Sequence, residues 1–335
     1  MELSIVIINW NDGKVLPGCL QSICRETKET EYEIVISDNG STDGSLDYVR
    51  SNHPEAMIVE NGANLGFSRG NNSGIAVARG EYVLILNPDT IIMDRALDRL
   101  VCWADKHPEA AAFGCRVLNP DGSLQHSARP FPSIRRYWMA ALGLRGLALI
   151  SSSFCSDTYT GWDGTSEREI DWQSGCCVMF RRSILREMGG FDPAFFYHYE
   201  EVDLCFRVHQ AGYRILYTPK ATITHLGGQS VGRFPIRFAI ESFRNQHKYF
   251  NKHYGLSTAL RSRVVALAHL WVRRCAYGIL AIFDKSDVMK RRIAMYRATI
   301  KWNWNLNVKE FLEHGEEPAM QYEGALPAQR PAGKI

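Results

Sequence analysis

The segment Glu81–Thr90 constrains the fold more than any other part of this chain. Its five consecutive apolar residues, Tyr82–Leu86, predict a short strand that is buried on both faces and ends before Pro88. An open α/β sheet binds ligands at the carboxyl ends of its strands, so we expect Asn87 and Asp89 at that edge. A carboxylate there can hold a divalent cation against a diphosphate. The alternative is a simple turn, because Asn, Pro and Asp are common turn formers.

Strand and helix patterns alternate through the first third of the chain. The predicted strands are Leu3–Ile8, Glu33–Ser37, Ala56–Val59, Tyr82–Leu86 and Ala110–Val117. The predicted helices are Lys14–Cys24, Gly44–Arg50, Ser68–Ala78 and Arg95–Lys106. This alternation is typical of an α/β fold with a mainly parallel sheet that helices cover on both faces.

The pattern loosens after residue 133 and then returns. Predicted elements in the second half are Ile170–Arg181, a helix over Glu200–Ala211, two short strands at Arg214–Thr218 and Ala221–His225, and helices from Ile236 to about Asn305. We therefore predict a domain over residues 1–230 with an insert at 134–169, and a helical extension over 231–312. The tail at 313–335 is rich in Pro, Gly, Ala and Glu, a composition that predicts disorder.

The composition of the 335 residues, 45% hydrophobic and 22% charged, is typical of a globular protein. The nine cysteines contain no C-x-x-C pair, so free thiols in a reducing cytoplasm are expected. No cleavable signal precedes the first strand, and the most apolar stretch, Val264–Phe283, is interrupted by Arg273 and Arg274. We therefore expect a cytoplasmic protein without a spanning helix.

The net charge of +3 hides a basic segment over residues 261–301. That segment contains ten Lys or Arg residues against only Asp284 and Asp287. A localised basic surface favours an anionic neighbour, either lipid head groups or nucleic acid. Self-packing of the helices, or a homodimer through them, is the alternative.

Polar loops follow the predicted strands. Asp38 and Asp43 flank a Gly/Ser/Thr loop after the second strand, where acidic side chains can bind a nucleobase or ribose. Asp43 is the more natural helix N-cap, so the binding role is assigned to Asp38. The Gly/Asn-rich run 61–72 opens a helix, and Arg69 could add a positive charge for a phosphate there. A surface arginine at a helix entry is the alternative interpretation.

Two further segments contain candidate chemistry. Glu201 shares a predicted helix face with Leu204 and Cys205, and burial there would raise its pKa toward that of a useful base. Glu200 is the rival, since periodicity does not rank adjacent acids. His225 ends a strand, where a single His is more often structural than a metal ligand.

Several segments together resemble the family 2 glycosyltransferases, and most closely a bacterial rhamnosyltransferase-like branch. The similar segments are Ser4–Asn11, Asp38–Asp43, Asn64–Asn72, Asn87–Thr90, Gly175–Arg182, Gly189–Asp192 and Glu200–Arg207. They span roughly residues 3–230 in the order and spacing of that family. The resemblance implies a GT-A fold and a nucleotide-sugar donor.

The resemblance also implies roles for single residues. Asn11, Asp38, Arg69 and Asn87 would bind the donor, Asp89 and His225 would bind Mg²⁺ or Mn²⁺, and Glu201 would be the catalytic base of an inverting displacement. Two positions depart from the family pattern: Asn87 replaces the first acid of the D-x-D motif, and Glu201 replaces the usual Asp.

The resemblance further implies a sugar, possible acceptors and a location. The donor would be dTDP-rhamnose, and the acceptor a glycan or a polyprenyl-diphosphate-linked sugar for bacterial surface polysaccharide. The protein would then work as a peripheral protein on the inner face of the cell membrane, and nucleic acid is not an expected partner. A nucleotidyltransferase of the same fold and a non-catalytic glycan-binding scaffold are the alternatives.

Overall fold

The sheet predicted from the first third lies at the centre of the first of two compact units. The structure is a computed structural model that describes residues 1–144, 157–227 and 234–314. The first unit comprises residues 1–131, 161–196 and 200–227. The second comprises residues 197–199 with the described parts of 132–160 and 228–335. Within the predicted insert, the described residues 134–144 and 157–160 thus group with the C-terminal helices, whereas 161–169 belong to the first unit.

Nine strands form the main sheet, in the order β3-β2-β1-β4-β10-β6-β11-β5, with β8 paired to β11. The strands are β1 (Leu3–Asn9), β2 (Tyr32–Asp38), β3 (Met57–Glu60), β4 (Tyr82–Leu86), β5 (Thr90–Ile92), β6 (Ala110–Leu118), β8 (Arg168–Glu169), β10 (Cys177–Arg181) and β11 (Arg214–His225). The short strands β7 (Ala128–Arg129) and β9 (Trp172–Gln173) pair separately.

The first four strands in this order are parallel, as predicted. The order then changes direction, because β10 is antiparallel to both β4 and β6. The register of β1 against β2 places Asn9 beside Asp38 at the carboxyl edge of the sheet. Leu86, the last residue of β4, lies opposite Cys177. The polar residues that follow β1, β2 and β4 therefore share the carboxyl edge.

Helices cover both faces of this sheet. In the first unit they are α1 (Leu16–Glu26), α2 (Ser45–Asn52), α3 (Gly66–Val77), α4 (Ala96–Ala104), α6 (Arg182–Glu187) and α7 (Glu200–Gln210). Leu20 of α1 and Leu97 of α4 belong to the core that contains Ile5 and Ile7 of β1. α3 lies against the opposite face, close to Val6. Burial of the sheet on both sides follows from the continuous apolar runs of its strands.

Glycine allows α3 to approach the sheet closely. A Cβ atom on Gly70 would lie 2.5 Å from Ile8 Cδ1, and one on Gly74 would lie 2.5 Å from Val6 Cγ1. Val6 is fully buried and β-branched, so it has little freedom to move aside. These glycines bring the N-terminal turn of α3 to the carboxyl edge of the sheet.

The predicted elements of the first third are all present, and their ends differ from the predicted ends by at most two residues. One prediction in the second half is wrong. The two short strands predicted at 214–218 and 221–225 form a single strand, β11, whose register against β6 shifts between Thr218 and Thr222. Pro219 lies within this irregular stretch, where a residue without an N–H can be accommodated.

Helices make up most of the described second unit. They are α5 (Ile134–Ala141), α8 (Pro235–Tyr254), α9 (Leu256–Leu280), α10 (Asp287–Asn305) and α11 (Val308–His314). His247 joins three of them, because its ring nitrogens bond Ser262 Oγ at 2.8 Å and Asn303 Oδ1 at 3.1 Å. The helical prediction for this region is confirmed. The tail predicted to be disordered, 313–335, lies outside the described residues except for 313 and 314, which form the end of α11. None of the described helices is long and apolar enough to cross a membrane.

Candidate active site

The loops after β1 and β2 are connected through buried polar side chains. Asn9 Nδ2 donates hydrogen bonds to Asp38 Oδ1 at 2.7 Å and to Ser45 Oγ at 2.8 Å. Asp38 Oδ2 accepts the backbone N–H groups of Gly40 at 3.0 Å and Ser41 at 2.9 Å. An ionised carboxylate has about four acceptor positions, so these three bonds leave about one for a ligand. Asp38 thus shapes the loop at which the sequence places donor binding.

Asn11 and Asp43 stabilise the same pair of loops. Asn11 adopts a left-handed backbone (φ 57°), and its Oδ1 accepts the Thr42 N–H at 2.8 Å. Asp43 accepts the N–H groups of Gly13 at 2.8 Å and of Ser45 at 3.1 Å. Burial acts to raise the pKa of Asp43, yet these hydrogen bonds hold that pKa below its ordinary value. The N-cap of α2 is Gly44, so the predicted N-cap at Asp43 is wrong by one residue, although Asp43 does accept the N–H of Ser45, the first residue of the helix.

Arg69 lies exposed in the first turn of α3. Asn64 Oδ1 accepts the Gly66 N–H at 3.0 Å and so satisfies one backbone donor at this helix start. A helix N-terminus attracts anions through its remaining N–H groups and its dipole. The position of Arg69 is therefore compatible with the predicted phosphate contact.

Asp89 and His225 face each other across neighbouring strands. The antiparallel pairing of β5 with β11 places His225 opposite Thr90, one residue beyond Asp89. His225 Nε2 lies 3.1 Å from Asp89 Oδ1 and 3.4 Å from Asn87 Nδ2. The backbone N–H of Leu226 donates to Asp89 O at 2.9 Å, which fastens the turn to β11. All three side chains predicted near the metal are therefore brought together.

Gln125 orients the imidazole of His225. Gln125 Nε2 donates to Asn119 Oδ1 at 2.9 Å, which leaves its Oε1 to accept the Nδ1–H of His225 at 2.7 Å. The hydrogen bond made by one ring nitrogen determines which tautomer a histidine adopts. A neutral ring with its proton on Nδ1 has its Nε2 lone pair toward Asp89 and Asn87.

This arrangement fits a divalent cation. A carboxylate oxygen and an imidazole lone pair are both electron-rich, so at 3.1 Å they need a cation, either a proton on Nε2 or a metal ion. Adjacent ligands of an octahedral ion with bonds of about 2.1 Å lie about 3 Å apart. The donor set and its spacing thus suit a metal such as Mn²⁺ or Mg²⁺.

Glu201 is a buried carboxylate in the first turn of α7. Burial raises its pKa above the ordinary value, while backbone hydrogen bonds, including one from Gly175, and the charge of Arg129 oppose the rise. Its Oε2 atom is buried and has no hydrogen-bond partner among the described residues. The predicted rise in pKa through burial is thus confirmed, and the adjacent Glu200 is buried as well.

A short backbone segment connects Glu201 to the Asp89 turn. The Asn87 N–H donates to Cys176 O at 3.0 Å, and the charges of both Asp89 and Glu201 act on the Cys176 thiol. Burial raises the pKa of that thiol to about 12, so Cys176 is not a nucleophile at neutral pH. The segment Gly175–Cys176 therefore lies between the candidate metal ligands and the candidate base.

Asp203 and Arg207 have the structural role that their spacing predicts. Arg207 Nε donates to Asp203 Oδ2 at 2.9 Å, and its Nη2 donates to Gly190 O at 2.7 Å. This ion pair is buried on the Asp203 side and connects α7 to the loop that follows α6.

Sequence reasoning missed one residue of the site and an unusual backbone conformation in the second unit. Gln125 is separated from His225 by 100 residues, and no local sequence pattern predicts their contact. His198 and Tyr199, just before α7, both have left-handed backbones, with φ of 67° and 76°. Such conformations cost of order 1–3 kcal/mol each and cluster at functional sites. Nothing in the residue types at 198 and 199 indicates them.

The fold is the GT-A fold. A solved mannosyltransferase from Pyrobaculum calidifontis, in complex with GDP-Man and Mn²⁺, has the same fold, with a TM-score of 0.55 and 18% identity. The match covers 91% of this chain and 87% of the mannosyltransferase chain. The predicted GT-A fold is therefore confirmed.

The chain belongs to glycosyl transferase family 2, whose pattern matches residues 4–189. It is 31% identical over 288 residues to an N-acetylglucosaminyl-diphospho-decaprenol L-rhamnosyltransferase of Mycobacterium tuberculosis, a match that covers 81% of this chain and 93% of the relative. It is 25% identical to the rhamnosyltransferase WbbL of Escherichia coli, with coverage of 66% and 82%. The predicted family, its rhamnosyltransferase-like character and its glycosyltransferase activity are confirmed.

Proposed function

We propose that the protein transfers L-rhamnose from dTDP-rhamnose to a polyprenyl-diphosphate-linked N-acetylglucosamine, a step in the synthesis of bacterial surface polysaccharide. The mycobacterial relative, which is named for this acceptor and this sugar, supports the proposal because the match spans nearly its whole length. Family membership favours glycosyl transfer over the nucleotidyltransferase and scaffold alternatives.

In the proposed mechanism, Asp89 and His225 hold a divalent cation. Such a cation, when bound, acts as a Lewis acid that stabilises the negative charge on the departing diphosphate. Asn87 contributes a neutral amide where an acid would add a second negative charge. Since imidazole suits Mg²⁺ less well than oxygen ligands do, we propose Mn²⁺ as the preferred ion.

Glu201 is the proposed catalytic base. Its carboxylate takes the proton of the acceptor hydroxyl while that oxygen forms a bond to the anomeric carbon. The bond from this carbon to the diphosphate oxygen breaks in the same step, so the configuration is inverted. The raised pKa of Glu201 makes its ionised form a stronger base, and such assistance typically contributes about 10²–10⁴ in rate.

The remaining predicted residues are proposed to position the donor. Asp38 and Asn11 shape the loops at the carboxyl ends of β1 and β2, where we place the nucleoside. Arg69 and the N-terminal turn of α3 are proposed to bind the diphosphate, because both are positively charged there. Asn87 completes this side of the site next to the metal ligands.

A lipid-linked acceptor requires a location at the membrane. We propose that the protein works on the cytoplasmic face as a peripheral protein, and that nucleic acid is not a partner. The basic helical segment over 261–301 supports this location through its attraction to anionic lipid head groups. A homodimer is not required, since the proposed catalytic residues all come from one chain.

The observation that carries the proposal is the Asp89–His225 pair beside a buried, base-like Glu201. The test is donor turnover by purified protein with Mn²⁺ and a detergent-dispersed polyprenyl-diphosphate-linked N-acetylglucosamine as acceptor, using dTDP-rhamnose beside UDP- and GDP-sugars and detecting released nucleoside diphosphate. Asp89→Asn and Glu201→Gln are compared with the exposed controls Asp47→Asn and Glu55→Gln.

We expect turnover of dTDP-rhamnose that is lost in both site variants and on chelation, while the controls match the wild type. A product with retained configuration would contradict the single displacement. Turnover that survives chelation or Asp89→Asn would contradict the metal assignment.

A further inference from the structure

Apolar side chains form an exposed stripe along α9 and the turn after it. The members on the helix are Leu256, Leu260, Val264, Trp271, Val272 and Ile279. The turn adds Ile282, which is 67% exposed, and Phe283, which is 86% exposed. Apart from the adjacent pair Trp271 and Val272, these helix residues recur at spacings of four, seven and eight, so they share one face. We call this set the apolar stripe.

The stripe is not the face by which α9 packs in its own unit. Ala259, Val265, Ala266 and Leu270 are buried and occupy the opposite side of the helix. Aromatic and cationic contacts near the C-terminal end of α9 hold this helix against α10. Tyr277 stacks on Tyr296 with ring centroids 5.4 Å apart. The stripe is thus left exposed on a helix whose inner face is already used.

The charge around the stripe is mainly positive, and its acids are Asp284 in the turn and Asp287 on the next helix. α9 contains four arginines and no acidic residue. The next helix, α10, has exposed Lys290, Arg292 and Arg297, and its only acid is Asp287, which pairs with Lys290. A wide apolar face flanked by cations is the composition of a helix that lies in the interface of an anionic membrane.

The same charges argue against a second copy of this chain as the occupant. A two-fold interface places each patch against its own counterpart. Two copies paired through the apolar stripe would bring their arginines and lysines together with few acids to neutralise them. Like charges in such contact oppose association, whereas anionic lipid head groups complement them.

We propose that the apolar stripe binds the surface of an anionic lipid bilayer, with α9 in the plane of the interface. Its 25 residues extend about 37 Å. The turn residues Ile282 and Phe283 then enter the acyl boundary, and Lys285 remains at the head-group level. This inference rests on the proposed function for its biological setting and specifies the surface that meets the membrane.

The first test measures binding of the full chain to sedimented vesicles, with neither donor nor acceptor present. Vesicles of phosphatidylcholine alone are compared with vesicles that contain about one-third phosphatidylglycerol. Trp271→Glu and Lys285→Glu are compared with Met93→Glu and Lys106→Glu, which change exposed residues of the first unit. We expect binding to the anionic vesicles only, weakened roughly tenfold by Trp271→Glu and several-fold by Lys285→Glu, and unchanged in the controls.

The second test leaves every residue of the apolar stripe unchanged. Cys275 and Cys102 are both exposed; Cys275 lies on α9 four residues after Trp271 and so shares the face of the stripe, whereas Cys102 lies on α4. An environment-sensitive fluorophore is attached to each in turn, with the other reactive cysteines replaced by serine. We expect anionic vesicles to shift the emission to the blue at Cys275 and to leave the emission at Cys102 unchanged.

Three results would overturn the proposal. They are equal vesicle binding by wild type and Trp271→Glu, an unchanged emission at Cys275, and a dimer in light scattering that Trp271→Glu dissociates. Failure of the proposed function is distinguishable, because donor turnover is assayed without vesicles. Vesicle binding without any donor turnover would support the membrane surface and contradict the glycosyl transfer.

Discussion

At the scale of single residues, Glu201 combines a functional role with a cost to stability. An acid whose pKa is raised by folding destabilises the folded state when it is ionised, so this cost grows as pH rises through the raised pKa. We expect Glu201→Gln to lower donor turnover by about 10²–10⁴. The same variant is expected to be more resistant to urea than wild type at pH 8.

Urea unfolding at pH 8 and at pH 4 checks this expectation. The advantage of the variant should shrink at pH 4, where wild-type Glu201 also gains a proton. Glu313→Gln, at an exposed position of α11, serves as the control and should show no such dependence. Lost turnover without any gain in stability at pH 8 would contradict the burial argument.

Gln125 is a second prediction at this scale, as a positioning residue for His225. Replacing Gln125 by Leu removes the acceptor of the Nδ1–H, so the imidazole loses its fixed tautomer and orientation. We expect Mn²⁺ affinity, measured by electron paramagnetic resonance, to fall about 10–100-fold. Nitrogen NMR of the His225 ring should show a mixture of tautomers in place of one.

Gln125→Glu provides the matched comparison, because its carboxylate still accepts the Nδ1–H and should retain most of the affinity. Gln21→Leu changes an exposed glutamine on α1 and should leave Mn²⁺ binding unaltered. Equal Mn²⁺ affinity in wild type and Gln125→Leu would contradict the positioning role.

The sequence predicted site residues where a local pattern carried the information. Asp89 follows a buried strand, and its neighbours place it. Glu201 is one of two adjacent acids that open an amphipathic helix, so its neighbours indicate the pair without ranking Glu201 over Glu200. Gln125 is different, because its role depends on the pairing of β5 with β11, which brings His225 to it over 100 residues. The sequence showed a basic segment and an apolar stretch in the region of α9. It did not predict the apolar stripe, since exposure depends on which face of the helix packs inward.

At the scale of elements, the helices of the second unit depend on a buried neutral histidine. Burial lowers the pKa of His247 to about 4, and its bonds to Ser262 and Asn303 join α8, α9 and α10. The unfolded chain binds a proton near pH 6.5, well above the folded pKa. The contribution of neutral His247 to the free energy of unfolding is therefore fully present above pH 6.5 and is lost as pH falls below that value.

We expect the free energy of unfolding to fall by about 2 kcal/mol between pH 7 and pH 5 through His247 alone. Urea unfolding monitored by the tryptophans measures it. His247→Gln has no proton to take up, so its pH dependence over this range should be weaker by that amount. His126→Gln, at an exposed loop position, should retain the wild-type slope. Equal slopes for wild type and His247→Gln would show that another group controls the acid sensitivity.

A helix or strand could be predicted from the sequence where a single hydrophobic periodicity identified it. β4 is recovered with both ends correct because its apolar run is continuous and Pro88 follows closely. β11 was divided because Pro219 resembles a strand end, whereas its neighbours continue through a register shift against β6. The three-residue strand β5 is too short for any pattern, and it forms only because β11 offers it a partner.

At the scale of the whole molecule, the proposed chemistry and the proposed membrane contact belong to different units. The candidate metal ligands and Glu201 lie in the first unit, and the apolar stripe lies in the second. Each ligand should therefore protect a different set of backbone amides from hydrogen exchange. A ligand that binds only the folded state at about 100 times its Kd adds about 2.7 kcal/mol of stability, enough to be measured.

We expect dTDP with Mn²⁺ to slow exchange at 9–13, 38–44 and 87–90, and to leave 256–283 unchanged. Anionic vesicles should do the reverse. Asp89→Asn should abolish the first pattern alone, and Trp271→Glu the second alone. Protection of the first unit by vesicles with no change at 256–283 would place the membrane contact elsewhere. Unchanged exchange with dTDP and Mn²⁺ would contradict the donor site while leaving the vesicle pattern intact.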